Sequence, residues 1–306
     1  MNTAATATTS AAATAPVTTA SIAAAAISVA VAATATIDRP PSRTLQLLEL
    51  RAFGEYRAAL ALLPLLRCAP AGDGHPVLVL PGLISNDSST QLLRSYLADR
   101  GYAVHGWGLG RNMGLKPGLE EKMKARLCEL QREHGRKVSL VGWSLGGVYA
   151  REIASALPAM VRSVVTLGAP IRGHVKSTNA WRIYELASGQ RVDDPQFRRP
   201  RSTAPPVPTT SIYSRSDGIV AWQCSVEAAS DRSESIEVIG SHCGLGVNAA
   251  VLYAVADRLA QPEGCWQPFD RSGPRGLVFP DPERTERSLR FGTPLAALKG
   301  AAAAPR

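Results

Sequence analysis

Residues 140–150 read LVGWSLGGVYA, and they join a strand-like run to a helix-like run with almost no loop between them. The apolar residues before the serine have the composition of a short buried strand. The apolar residues from Val148 to Leu157 recur at the spacing of a helix. The sequence therefore predicts that Ser144 lies in a sharp turn between a strand and a helix.

Short apolar runs alternate with helical segments on both sides of this turn. The strand-like runs are PVLVL from residue 76, YAVHGW from 102, KVSLVG from 137, VRSVVTLG from 161, PTTSIYS from 208 and SIEVIG from 235. Nearly continuous Val/Leu strands separated by helices are typical of parallel sheets that are buried on both faces. The pattern predicts an α/β fold with a doubly wound, mostly parallel sheet and helices on both faces.

Composition divides the 306 residues into a globular part and two biased ends. Residues 1–40 form an Ala/Thr-rich segment of low complexity, predicted to be disordered or a targeting segment. Residues 41–262 are predicted to form the domain, with residues 171–206, which lack clear periodicity, as a small lid insertion. Residues 263–306 are predicted to be a loosely ordered tail rich in Pro, Gly and Arg.

The amino-terminal segment leaves both a cytoplasmic and an exported location open. Its first 37 residues contain no charged side chain, and 25 of them are Ala or Thr. A secretory signal needs a basic start, which is missing before Arg39, although Ala33 and Ala35 resemble a cleavage site. Its most apolar part, Ile22–Ile37, is shorter than the roughly 20 residues of a membrane span. No transmembrane span is predicted.

The charge pattern argues against a nucleic-acid partner. The formal net charge is +9, from 34 Lys and Arg against 25 Asp and Glu, and only 6% of the residues are aromatic. The basic residues are scattered except for two clusters, which are Arg198, Arg199 and Arg201 and then Arg284, Arg287 and Arg290. A nucleic-acid binder would show a basic stripe with interleaved aromatic residues. The helical stretch 44–67 mixes both signs of charge and is expected to pack on the flank of the core, with transient membrane-surface contact as the alternative.

Three residues in the chain order Ser, acid, His suggest nucleophilic catalysis. Ser144 is the centre of a G-x-S-x-G motif, and a serine needs a base that is itself oriented by a carboxylate. His242 follows the last strand and opens the last helix, so it returns to the sheet edge that carries Ser144. Asp217 follows the strand before that one. The rivals for the acid are Asp193, Asp194 and Asp231.

The four other histidines are weaker candidates for the base. His105 ends a strand but precedes the serine, against the expected chain order. The remaining three, expected at the surface, are His75, His134 and His174.

An oxyanion that forms beside the serine needs two backbone N–H donors. One is predicted to be that of Leu145, at the positive end of the helix that follows the serine. The second is predicted to be that of Leu83, because Pro81-Gly82-Leu83 follows the first strand and Gly82 permits a sharp turn.

The segments VLVLPGL, GWSLGG, VTLGAP, SRSDG and GSHCG, in this order, resemble the lipase/esterase branch of the α/β-hydrolase superfamily over residues 74–260. The resemblance implies a Ser-His-Asp mechanism and ester hydrolysis without a cofactor. It implies Ser144 as nucleophile, His242 as base and Asp217 as orienting acid, with Leu83 and Leu145 as the oxyanion donors. One departure is that many lipases have His-Gly where this chain has Pro81-Gly82.

The expected activity is hydrolysis of a small-molecule or lipid ester through an acyl-serine intermediate. An acyltransferase or thioesterase with the same triad, and a catalytically silent binding protein, stay open as alternatives. The residues predicted to wall the substrate pocket are Trp107, Trp143 and Trp222. Cys224 and Cys243, which follow the acid and the base, are predicted to form a disulfide that clamps the two loops. The five cysteines show no zinc-ligand spacing, and no metal site is predicted.

Overall fold

A six-stranded, all-parallel β-sheet forms the centre of the computed structural model, which describes residues 39–194 and 203–282. Its strands are β1 (Pro76–Leu80), β2 (Ala103–Gly106), β3 (Val138–Trp143), β4 (Val161–Leu167), β5 (Thr209–Tyr213) and β6 (Ser233–Glu237). Their order in the sheet is β2-β1-β3-β4-β5-β6. The order reverses at β1, which lies between β2 and β3. In open parallel sheets, such a switch point opens a crevice at the carboxyl ends of the strands.

Helices cover both faces of the sheet. They are α1 (Arg43–Leu47), α2 (Ala52–Leu66), α3 (Gln91–Asp99), α4 (Leu119–His134), α5 (Leu145–Ala156), α6 (Trp181–Ser188), α7 (Ala249–Leu259) and α8 (Arg275–Val278). Successive residues of β1 point to opposite faces, as the pleat requires. Val77 and Val79 join a core cluster with α2, α3 and α7, whereas Leu78 and Leu80 join a second cluster with α4 and α5. The predicted fold class, a doubly wound parallel sheet, is confirmed.

Two of the helices have clear boundary signals. α7 begins after Asn248, whose side-chain oxygen accepts the N–H groups of Ala250 and Val251. α4 ends at Gly135, which has a positive φ of 61° that glycine adopts without a steric cost. Among the described residues, no helix is both long enough and apolar enough to cross a membrane.

The core extends beyond the boundary predicted at residue 262. Phe269 and Phe279 are each 3% exposed, belong to the core cluster of α2, α3 and α7, and pack against each other with their ring centroids 4.7 Å apart. The Pro-, Gly- and Arg-rich composition of this stretch concealed two core residues. Residues 1–38, and both basic clusters noted in the sequence, lie outside the described residues.

Candidate active site

The turn at Ser144 is a strained backbone position at the carboxyl end of β3. Ser144 has φ 53° and ψ −120°, a conformation that side-chain-bearing residues rarely adopt. Its N–H donates to the carbonyl of Leu167 on β4 at 2.8 Å, which anchors the turn to the sheet. A Cβ on Gly142 would overlap the backbone of Gly146, and one on Gly146 would overlap the carbonyl of Leu80. The two glycines of the motif are therefore required by close backbone packing.

The ends of β3, β5 and β6 bring the three candidate residues together. The Nε2 atom of His242 lies 3.0 Å from the Oγ atom of Ser144, and its Nδ1 atom lies 2.6 Å from the Oδ2 atom of Asp217. Both distances fit hydrogen bonds that run from the serine hydroxyl through the ring to the carboxylate. Ser144 is half-buried, whereas His242 and Asp217 are buried. The hydroxyl is thus the accessible end of the chain of bonds.

The acid is held by its own loop as well as by the histidine. The Oδ1 atom of Asp217 accepts the backbone N–H groups of Ile219 at 2.8 Å and Val220 at 2.7 Å. Gly168, at the end of β4, lies against the pair, and a Cβ there would come within 3.1 Å of the His242 ring and 3.2 Å of the Asp217 carboxylate. A side chain at position 168 would crowd the bond between the histidine and the acid.

The pKa of His242 is raised above its ordinary value of 6.5. Burial disfavours the charged imidazole, but the carboxylate of Asp217 and the charge of Glu49 more than offset that effect. The site therefore stabilises an imidazolium, the form the ring takes after it accepts a proton from an attacking serine.

Two backbone donors lie beside the serine. No acceptor within residues 39–194 and 203–282 bonds the N–H of Leu83 or of Leu145, the first residue of α5. Gly82 lies against the serine, since a Cβ on it would be 3.4 Å from the Cβ of Ser144. The geometry suits the predicted donors, and their role stays a prediction.

Sequence analysis missed a buried asparagine that shapes the loop after β1. Asn112 is fully buried, and its side-chain amide donates to the carbonyl of Pro81 at 2.9 Å. Its backbone accepts the N–H of Ile84 at 2.6 Å and donates to the carbonyl of Ser85 at 2.8 Å. The loop carries a second strained residue, because Ile84 has φ 55°. Since these contacts join segments about 30 residues apart, no local pattern revealed them.

The other histidines and aspartates lie elsewhere. His75, expected at the surface, is instead completely buried between Asp73 and Ser139. The Nε2 atom of His105 lies 2.9 Å from that of His134, whereas the ring that bonds Ser144 is that of His242. The rival acids pair with surface cations, Asp193 with Lys176 and Asp231 with Arg232, and Asp194 is only half-buried in the insertion.

The three tryptophans have different surroundings, and their role as walls of a substrate pocket stays a prediction. Trp107 is 2% exposed and belongs to the core under α4 and α5. Trp222 stacks on Tyr213 at 5.8 Å, with the guanidinium of Arg215 4.3 Å from its ring. Trp143 precedes the serine, and its indole N–H donates to the carbonyl of His242 at 3.1 Å. Packing explains the first two, and Trp143 supports the histidine loop.

The predicted disulfide between Cys224 and Cys243 is absent, because both cysteines are free. Cys224 is completely buried in a small apolar cluster with Val220 and Ala221. Cys243 is exposed, and its backbone N–H donates to Glu49 at 2.7 Å. The loops of the acid and the base do come together, and the carboxylate of Glu49 accepts backbone N–H groups from both of them.

The sequence matches no protein-family model and no curated protein. Among solved structures, the chain is similar to Aspergillus fumigatus lipase B, with a TM-score of 0.47 and 16% identity over 63% of this chain and 54% of that lipase. It thus spans about half the length of the lipase. It is also similar to an α/β-superfamily hydrolase of Oenococcus oeni PSU-1, with a TM-score of 0.46 and 16% identity over 61% of this chain and 91% of that one. A thioesterase domain from the curacin biosynthetic pathway gives a TM-score of 0.41 and 15% identity, over 61% and 92% of the two chains.

At these identities and TM-scores, the matches carry no conclusion about this chain. The strand order of the sheet and the strained serine turn between β3 and α5 are features of this chain itself. On these features, the chain has the fold of the α/β-hydrolase superfamily.

Proposed function

We propose that the chain is a serine hydrolase that cleaves carboxylic esters. The observation that carries the proposal is the continuous chain of hydrogen bonds from the strained, accessible Ser144 through His242 to Asp217. A serine hydroxyl is a weak nucleophile at neutral pH, and an oriented imidazole is the group that activates it.

The proposed reaction has two halves. Nε2 of His242 takes the proton of Ser144 as the serine oxygen attacks the ester carbonyl, and Asp217 stabilises the resulting imidazolium. The N–H groups of Leu83 and Leu145 donate to the oxyanion. His242 then gives its proton to the leaving alkoxide, which departs as the alcohol, and an acyl-serine remains. Water, deprotonated by the same ring, attacks this acyl group and releases the acid, so that the serine is restored.

The surroundings of the two donors favour an ester with an apolar portion. The side chains of Leu83 and Leu145 belong to one apolar cluster with Tyr184 of α6, and the other members are Val175, Trp181 and Val192. These four residues come from the insertion between β4 and β5. We propose that this insertion is a short lid, and that the acyl chain of the substrate packs against the cluster.

A panel of nitrophenyl esters of increasing acyl length tests the proposal. Wild type should turn over at least one of them, and Ser144→Ala should lose nearly all of that turnover while remaining folded. Ser139→Ala is a matched control, because Ser139 also bonds a histidine but is buried. Products formed with added alcohols or thioesters would separate an acyltransferase or thioesterase from an ester hydrolase. A folded wild type that is inactive on every ester would contradict the proposal.

A further inference from the structure

The residues that follow α1 carry three charged side chains directed at the loops of the acid and the base. They are Glu49, Arg51 and Glu55, the last of which lies in α2. Sequence analysis assigned this stretch to packing on the flank of the core, with transient membrane-surface contact as the alternative. Its contacts reach across more than 160 residues of chain to the loops after β5 and β6.

Glu49 joins both loops with a single carboxylate. Its Oε1 atom accepts the N–H of Gly218, next to the acid, at 2.7 Å and the N–H of His242 at 3.0 Å. Its Oε2 atom accepts the N–H of Cys243 at 2.7 Å. The side chain is enclosed, with 9% of the residue exposed. A buried carboxylate that accepts three backbone donors makes strong, charge-assisted hydrogen bonds.

Arg51 adds further bonds to the same two loops. Its guanidinium donates to the carbonyl of Ser216 at 2.7 Å and to that of Gly240 at 2.8 Å. It also lies 3.3 Å from Glu55, whose carboxylate accepts the N–H of Ser241 at 2.8 Å. The two loops are therefore fixed from outside the sheet as well as by the bond between the acid and the base.

Two glycines permit this close approach. A Cβ on Gly218 would overlap the carbonyl of Leu45, and a Cβ on Gly244 would overlap the carboxylate of Glu55. In the sequence, the glycine after the acid indicated only a turn. The structure adds that any side chain there would push α1 away from the site.

We propose that Glu49 is a positioning residue of the triad: its carboxylate ties the loop of Asp217 to the loop of His242 and so holds the imidazole between the acid and the serine. The inference rests on the proposed function. Without Glu49, the backbone N–H groups of Gly218 and His242 lose their common acceptor. Displacements of about 1 Å at a reacting centre can cost roughly 100-fold in rate.

Glu49 also acts on the charge of the ring. The ionisable groups around His242 are the carboxylates of Asp217, Glu49 and Glu55, the Arg51 guanidinium and the thiol of Cys243. Burial opposes the charged ring, whereas Asp217 and Glu49 raise its pKa. Loss of the Glu49 charge should therefore lower the pKa of His242, an effect that a purely structural role would not produce.

The test compares Glu49→Gln, Glu49→Asp and the exposed control Glu121→Gln with wild type. The measurements are kcat and KM on the best nitrophenyl ester as functions of pH, thermal unfolding, and an NMR titration of the His242 ring, assigned with His242→Gln. In Glu49→Gln, kcat/KM should fall by about 10- to 100-fold, mostly through kcat. The acid limb is the low-pH side of the kcat/KM profile, where activity falls as the base is protonated. In Glu49→Gln, this limb and the pKa of the His242 ring should both move to lower pH. Glu49→Asp, which keeps the charge but has a shorter reach, should lose several-fold in kcat with the limb unmoved.

The outcomes separate this inference from the proposed function. A folded Glu49→Gln with wild-type kcat and an unmoved limb would overturn the inference and leave the hydrolase intact. If Glu49→Gln does not fold, Glu49→Asp decides, because wild-type kcat in that variant would refute positioning. If wild type turns over no ester, the proposed function fails. The NMR titration of the His242 ring then decides alone. A lower pKa of His242 in Glu49→Gln supports the proposed action of Glu49 on His242, and an unchanged pKa overturns it.

Discussion

Two sets of serine, histidine and aspartate lie at opposite edges of the same sheet, with nearly equal hydrogen-bond distances. At the carboxyl edge, His242 lies 3.0 Å from Ser144 and 2.6 Å from Asp217. At the amino edge, the Nε2 atom of His75 lies 2.9 Å from the hydroxyl of Ser139, and its Nδ1 atom lies 2.5 Å from Asp73. Distances alone would make both sets candidate triads.

The backbone and the access of the two serines differ. Ser139 lies inside β3, is completely buried, and has its hydroxyl 3.0 Å from that of Ser163 on the neighbouring strand. Ser144 lies one residue after the same strand, in a strained turn that leaves it accessible and next to the start of α5. Within residues 39–194 and 203–282, Ser144 is the more exposed of the two serines, and the unbonded N–H groups of Leu83 and Leu145 are its candidate donors.

The electrostatics of the two histidines also differ. Burial lowers the pKa of His75, and the charge of Arg162 lowers it further against the opposing effect of Asp73. The carboxylate of Asp73 also pairs with Arg162 at 2.8 Å and with Arg136 at 2.7 Å, so two positive charges lie beside it as well as His75. At His242, carboxylates outweigh burial and raise the pKa. Access, backbone donors and net charge, more than hydrogen-bond distances, therefore distinguish the proposed nucleophile Ser144 from the structural Ser139.

The largest contrast should come from the two aspartates. In Asp217→Asn the amide would favour the wrong tautomer of His242, and kcat should fall by roughly 10⁴-fold with the fold intact. Asp73→Asn should leave kcat within about twofold, while the loss of about 1 kcal/mol of pairing lowers Tm by roughly 2–4 °C. Steady-state kinetics and thermal melting measure both effects. Equal losses of kcat in Asp217→Asn and Asp73→Asn would contradict the proposed difference between the two sheet edges.

Asn112→Ala should weaken the loop that carries the Leu83 donor. The variant loses the bond to the carbonyl of Pro81, so the oxyanion donor is less well oriented. We expect kcat to fall by about 10-fold with little change in KM, which is the pattern for an interaction made in the transition state. Asn86→Ala, which removes a local turn bond, serves as the control. An Asn112→Ala variant with unchanged kcat would show that the loop needs no such support.

At the amino edge the expected effect is on stability. Ser139→Ala leaves a buried ring nitrogen of His75 without its partner, which should cost about 1–3 kcal/mol in the free energy of unfolding. Ser163→Ala should cost less, because it leaves the bond from Ser139 to His75 in place. Denaturant unfolding measures both, and ester turnover should be unchanged. A loss of turnover in Ser139→Ala would mean that the two edges are coupled.

The smallest expected effect is the position of the acid limb in the pH profile. A base must be neutral, so kcat/KM falls as the pH drops through the pKa of His242. Because that pKa is raised, the midpoint should lie above pH 6.5. His75, with a lowered pKa, should stay neutral there, and its NMR ring signals should not titrate above pH 6.5. A midpoint below pH 6.5 would contradict the charge balance described for His242.

Most of the fold could be predicted because the central strands β1, β3 and β4 are buried and consist mainly of apolar residues. Ser144, Asp217 and His242 follow strand ends, and parallel strands end at one edge, so chain order predicted that these three side chains lie together. The structure brings them within hydrogen-bond distance, and their catalytic role stays a proposal. What could not be predicted depends on contacts between distant segments. Glu49 lies almost 200 residues before the histidine it contacts, and nothing in its neighbours distinguishes it from a surface glutamate.

Two other expectations failed for related reasons. His75 precedes a strand, a place where histidines are often exposed, but Asp73 and Ser139 together satisfy both ring nitrogens and permit burial. The loops of Asp217 and His242 come together, but closeness of two loops does not make their cysteines pair. One thiol is enclosed in the protein and the other is exposed.

Labelling with a fluorophosphonate, followed by peptide mass spectrometry, tests the central claim most directly. The reagent reports an activated, accessible serine with oxyanion donors and needs no knowledge of the natural ester. The account predicts a single adduct on Ser144, none on Ser139, and loss of labelling in His242→Gln. Folded wild-type protein with no adduct on Ser144, or with an adduct on Ser139, would contradict it.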